Sequence, residues 1–134
     1  ARTKVEKARL ILLSVGKVVV VEDESLLDPV TAVSGSGPAY FFLLMQEMIK
    51  AGIELGLSEE DAQHLVLQTA KGAALLAEKA AGEGSTPAQL SARVATPNGT
   101  TEAAFNVFHA SGFSEMVSKA LQRASDRSRE LSTE

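Results

Sequence analysis

Ser34-Gly35-Ser36-Gly37-Pro38-Ala39-Tyr40-Phe41-Phe42-Leu43-Leu44-Met45 is the stretch on which the fold turns. Its first four residues are small, and Pro38 suits the opening position of a helix, where its missing N–H costs nothing. From Ala39 to Met45 the side chains are apolar on every side of the helix, which is predicted to run to about Leu55, and Gln46, Glu47, Lys50 and Glu54 enter only later. A helix that is apolar all round is buried all round. In a chain of 134 residues, that requirement predicts a second subunit wrapped around it.

Downstream, Gly56-Leu57-Ser58 reads as a helix stop and restart, with Ser58 as N-cap and Asp61 three residues on. The next helix, about Glu59 to Ala81, carries Ala62, Leu65, Val66, Thr69, Ala73, Leu76 and Ala80 at helical spacing. Gly82-Glu83-Gly84-Ser85 closes it, and Thr86-Pro87 opens a short helix through Val94. After Thr96-Pro97-Asn98-Gly99-Thr100-Thr101 a helix is predicted from Glu102 to Ala110, and past Gly112 a final one from about Ser114 to Ser132. Upstream, Ser25 to Val33 is a connector with a short helix cut at Pro29. Lys17 to Glu22, with four consecutive valines, predicts a strand, and Ala1 to Ser14 a helix with Val5, Ala8, Leu12 and Val15 on one stripe. A strand without neighbours points to a sheet whose remainder lies elsewhere, so 1–24 read as the end of another domain and 25–134 as one helical domain.

Composition narrows the functions. Hydrophobic residues make up 45% but aromatics only 4%, so Ala, Leu and Val must form the core by close helix packing. Seventeen acidic residues against 13 basic ones give a net charge of −4 with no basic block, which argues against nucleic acid or an anionic membrane as partner. The absence of cysteine and the two isolated histidines, His64 and His109, argue against disulfides and a metal site, and suit a cytoplasmic protein. The apolar run is far below the ~20 residues of a membrane span, and the charged start has no signal-peptide core.

The two small-residue turns are the candidate anion cradles, since each precedes a helix start with unpaired N–H groups and the positive end of a dipole. Thr101 lies in the first turn after Gly99, where its hydroxyl and the N–H groups of Thr100 and Thr101 can face one small anion. The same residues also suit a helix cap and nothing more. Tyr40, the single tyrosine, reads as a core residue with a locally bonded hydroxyl.

VTAVSGSGPAY (30–40), TPNGTTEAAF (96–105), the Gly112-Phe113 pair and RSREL (127–131) together resemble pyrroline-5-carboxylate reductases, over roughly Val15 to Leu131. The resemblance implies a mainly α fold of five to six helices forming an interlocked dimer, like the C-terminal domain of 6-phosphogluconate dehydrogenase, preceded by a remnant helix and strand of a Rossmann domain. It implies an NADPH- or NADH-dependent reduction of 1-pyrroline-5-carboxylate to L-proline, with the cofactor held mainly by a domain this chain lacks, for no G-x-G-x-x-G follows a strand. The fragment alone is then expected to be inactive.

By the same resemblance, Thr101 contacts the ring nitrogen as the catalytic hydroxyl, and Asn98, Gly99, Thr100 and Thr101 hold the substrate, with Glu83 in the acidic position shifted from its usual place. Ser34, Gly35, Ser36 and Gly37 lie near the cofactor. Asn98 stands where the family most often has glycine, and Asn tolerates left-handed backbone. The partner is a second copy, with a decamer of five dimers beyond it. Two other readings remain open here: a non-catalytic oligomerisation module, and the C-terminal domain of a β-hydroxyacid dehydrogenase, which would need a lysine on the long helix as acid/base, whereas Lys50 lies late in that helix and the loop motifs favour the imine reductase.

Overall fold

The computed structural model describes residues 2–133; Ala1 and Glu134, the ends of the predicted first helix and of the helical domain, lie outside the described residues. The chain is a succession of helices: α1 (Arg2–Leu13), a 3₁₀ turn (Glu24–Leu26), α2 (Leu27–Val30), a π-helical turn (Thr31–Gly35), α3 (Gly37–Glu54), α4 (Glu59–Gly82), α5 (Pro87–Val94), α6 (Thr100–Ala110) and α7 (Phe113–Ser132).

Helix ends follow the capping chemistry of the sequence. Gly56 has φ +106°, and the Leu57 and Gly56 N–H groups donate to Gly52 O (3.0 Å) and Ile53 O (2.9 Å), which closes α3 with a Schellman motif. Ser58 then accepts the Asp61 N–H at 3.1 Å and starts α4. Tight packing of this hairpin rests on small residues, since a Cβ on Gly52 would touch Ala62 Cβ at 3.4 Å. At the head of α5, Thr86 and Gln89 form a reciprocal capping box. Gly112 (φ +76°) ends α6, and Phe108 meets Phe113 across the turn with ring centroids 5.4 Å apart.

α3 and α4 form an antiparallel pair, while α7 returns along α2 and the π turn and also carries α6. Ser125 of α7 is buried. The buried apolar residues are few and small: Ala32, Ala62, Val66 and Ala80. Phe41 and Phe42, about 100° apart around α3, are 66% and 65% exposed, and Leu43, Leu44 and Met48 are exposed with them. The accessible surface of the chain is 10872 Å². A compact monomer of its 14.1 kDa mass would expose about 6,700 Å². The excess, about 4,000 Å² by the same scaling, is shared between the projecting N-terminal segment and the helices, and the exposed apolar residues of α3 lie within it.

Two expectations are corrected. Lys17–Glu22 is not a strand: it has no regular structure and no backbone pairing, and among the described residues no strand forms, because a lone segment has no neighbour to take its backbone hydrogen bonds. Nor does Pro29 cut the connecting helix. It occupies the first turn of α2, where N–H groups have no intrahelical acceptor, so the chain winds from the 3₁₀ turn through α2 and the π turn towards α3. α1 leaves Leu10, Ile11 and Leu12 exposed. The segment after it is tied to α4 by the Lys17 Nζ to Glu78 Oε1 ion pair at 2.6 Å.

Candidate functional site at the start of α6

The loop before α6 is built by a turn. Gly99 N–H donates to Thr96 O at 2.9 Å, with Pro97 in the second position and Asn98 at φ +59° in the third, the arrangement of a type II turn. Asn98 is thus in the left-handed region that the sequence reading assigned to it. Gly99 is required for a different reason: its φ is −88°, but a Cβ there would lie 2.5 Å from Thr96 Oγ1 and 3.0 Å from Thr96 O.

Gly99 is the N-cap, and α6 begins at Thr100, two residues earlier than predicted. No side chain caps this helix. The N–H groups of Thr100, Thr101 and Glu102 therefore open from the helix start without intrahelical acceptors. Thr100 is exposed and Thr101 half-buried. Neither hydroxyl has a hydrogen-bond partner among the described residues, so the purely capping role left open by the sequence is not the one the side chains adopt. Glu102, which the sequence reading passed over, folds back so that its Oε2 accepts the Asn98 N–H at 2.5 Å. Its spacing, an acid three residues after the N-cap, is a signal the sequence does carry.

The Ser34–Gly37 cradle takes another form than expected. Its backbone continues the helical path through the π turn, with Ser36 N–H donating to Thr31 O (2.9 Å) and Ala39 N–H to Ser36 O (3.1 Å). The start of α3 is therefore not a row of free donors. What remains is an exposed, nearly side-chain-free surface at Ser34 and Gly35, with Gly37 buried beneath and open space where its Cβ would be. Tyr40 is half-buried and donates its hydroxyl proton to Ala32 O at 2.8 Å, as expected. The turn offers no set of free amides for a phosphate.

Glu83 caps the C-terminal end of α4, exposed, and no hydrogen bond or ion pair joins it or the Ser34–Gly37 turn to the Thr96–Thr101 loop among the described residues. Within one chain these sites are separate; what they share is α7, which packs on the π turn and on α6. A shallow hollow lined by Glu59, Glu60, Gln63, His64 and Leu67 runs along the first turns of α4 and contains no residue of either loop. His109 lies at the end of α6, edge-on to Phe105. Among the described residues no three His, Asp or Glu side chains gather as metal ligands, and no helix is long and apolar enough to cross a membrane.

Comparison with known proteins gives one answer. The family described as pyrroline-5-carboxylate reductase dimerisation matches residues 24–131. A pyrroline-5-carboxylate reductase of Pseudomonas aeruginosa is 56% identical over 126 residues, covering 94% of this chain and 45% of the relative. One from Mycobacterium tuberculosis is 42% identical over 96% of this chain and 48% of its own length. Among solved structures, a pyrroline-5-carboxylate reductase from Coxiella burnetii superposes with a TM-score of 0.90 at 37% identity, over 98% of this chain and 47% of that one. The Plasmodium falciparum enzyme, solved with NADP bound, gives 0.83 at 31% identity. The chain spans about half the length of the relatives it matches.

Proposed function

The chain belongs to the pyrroline-5-carboxylate reductase dimerisation family, and from that premise we propose that it is the C-terminal part of an NAD(P)H-dependent, cytoplasmic reductase that converts 1-pyrroline-5-carboxylate to L-proline. The observation that carries the proposal to particular atoms is the uncapped start of α6. Its free N–H groups and dipole favour a carboxylate there. The unpartnered Thr101 hydroxyl stands beside them as a donor for the ring nitrogen.

The chemistry that a reduced nicotinamide supplies at such a site is a hydride to the imine carbon. The residues of this chain do the rest. Thr100 and Thr101 N–H groups orient the substrate by its carboxylate, with Asn98 and Gly99 shaping the turn and Glu83 brought near from another part of the assembly. Thr101 Oγ1 donates to the ring nitrogen, which gains basicity as the C=N bond becomes single. Ser34 to Gly37 present a thin backbone surface against which a nicotinamide ring can lie.

The sites come together when a second copy encloses α3, one subunit's Thr101 loop facing a cofactor domain from the dimer; further association into a decamer of five dimers would leave that unit intact. On the same reading α1 and the unpaired Lys17–Glu22 segment are the end of a dinucleotide-binding domain. The exposed leucines of α1 and the unpaired backbone of 17–22 support this, because both lack the partner that their patterns call for.

The test is Thr101→Val in the reductase that carries this chain. The change keeps shape and removes the hydroxyl. Turnover should fall by about 10²-fold, the usual worth of one positioned proton donor. Stability should change by no more than about 0.5 kcal/mol, since no internal hydrogen bond is lost. Thr101→Ser should recover most of the activity. Unchanged turnover, or losses of turnover and melting temperature in parallel, would remove Thr101 from the chemistry.

A further inference from the structure

The junction between α7 and the start of the helical domain contains a polar contact that spans 100 positions of sequence. Ser128 Oγ donates to Asp28 Oδ1 at 2.7 Å, and Arg129 Nε stands 3.8 Å from Asp28 Oδ2. Asp28 is largely covered, with its side chain 19% exposed, and lies in the first turn of α2, directly ahead of the π turn that carries Ser34 and Gly35. One turn earlier on α7, Ser125 is buried.

At its other end α7 begins with Phe113, whose ring packs on Phe108 of α6. Both loops are therefore referenced to one helix: the π turn that leads into Ser34–Gly37 packs on α7 together with α2, which is held near the C-terminal end of α7, and the Thr101 loop is carried by α6, which packs on the N-terminal end of α7. We propose that Asp28 and Ser128 form a positioning tie that fixes the tilt of α7, and through it the spacing of the Ser34–Gly37 turn and the Thr101 loop in each subunit. The inference rests on the reductase reading above.

Geometry gives the tie its leverage. Fifteen residues separate Phe113 from Ser128, which is about 22 Å of helix. A tilt of about 3° at the tie moves the far end of a rod of that length by about 1 Å. A misplacement of about 1 Å is enough to cost an enzyme up to about 10²-fold in rate. Neither side chain needs to touch substrate or cofactor for this to hold.

The test compares Ser128→Ala, Ser128→Thr and Asp28→Ala in the reductase containing this chain, reading kcat, KM, melting temperature and molar mass. Ser128→Ala should lower kcat by at least about tenfold with KM and mass nearly unchanged and only a modest fall in melting temperature from the lost hydrogen bond, Asp28→Ala should act in the same direction from the other end, and Ser128→Thr should restore turnover. If Ser128→Ala fails to fold, Asp28→Ala reads the same contact. Wild-type kinetics in both alanine variants, no recovery in Ser128→Thr, or losses of kcat that only follow melting temperature would overturn the tie. Inactivity of the wild-type enzyme on pyrroline-5-carboxylate would remove the reading and the tie together, whereas an active wild type with unaffected variants would remove the tie alone.

Discussion

Replacing Phe42 by Ala tests whether the apolar surface of α3 is an interface. Phe42 lies in the middle of the uncovered face, 65% exposed in the single chain. An aromatic side chain of roughly 200 Å² leaves about 130 Å² there for a partner to cover. At about 25 cal/mol per Å² this is about 3 kcal/mol per copy, and a symmetric dimer loses it twice. The dimer should weaken by about 10⁴-fold, or by about 10²-fold if only half of that area is covered on assembly. Ala is the better helix former, so α3 itself is not harmed.

Light scattering across a dilution series from high micromolar to nanomolar concentration gives the answer. The wild-type chain should hold a dimeric or larger mass over most of that range, while Phe42→Ala dissociates at much higher concentration. A wild-type chain that is a well-folded monomer at micromolar concentration, or a variant with an identical dissociation curve, would refute the argument from exposed area.

Other perturbations address the loop and the surface. Gly99→Ala drives a methyl group against Thr96, whose Oγ1 and O lie 2.5 and 3.0 Å from the new Cβ; the turn must shift, and calorimetry should find about 1 to 3 kcal/mol of destabilisation together with loss of activity. Lys17 holds the Glu78 carboxyl below its ordinary value of 4.5, chiefly by its hydrogen bond and then by its charge. A carboxyl with a depressed folded pKa lends stability above its unfolded pKa and loses it as pH falls through the folded value. The melting temperatures of wild type and Glu78→Gln should therefore differ slightly at neutral pH and converge below about pH 4.5. A constant offset down to pH 2 would exclude the ion pair as its cause.

Local chemistry was legible where it depends on near neighbours. Gly56, Gly112, Ser58 and Thr86 mark helix ends because each satisfies orphan backbone groups within a few residues, and the structure uses them as caps. Asn98 likewise announces a left-handed position. Register-changing features were not legible: the π turn at Thr31–Gly35 inserts an i to i−5 bond that no residue pattern signals, and it takes up the Ser36 amide of the glycine-serine stretch. The Val18–Val21 run has the propensity of a strand, but strand formation is a property of a pair, and the pair is lacking. The contact of Asp28 with Ser128 joins ends of the domain that only the return of α7 brings together. At the candidate site, glycine and threonine positions could be read, whereas the distance from Gly99 to Thr96 required coordinates.

The small buried core has a kinetic meaning as well. Helix stops at Gly56, Gly84 and Gly112 favour local pairings such as the α3–α4 hairpin, which need little loop closure and form fast. On the dimer reading, the exposed face of α3 is covered by a bimolecular event. Folding of this domain should thus begin as a rapid first-order process and finish as a second-order one, so that a nascent copy remains incompletely folded until it meets another, and its thermal midpoint belongs to the concentration of the chain as much as to its sequence.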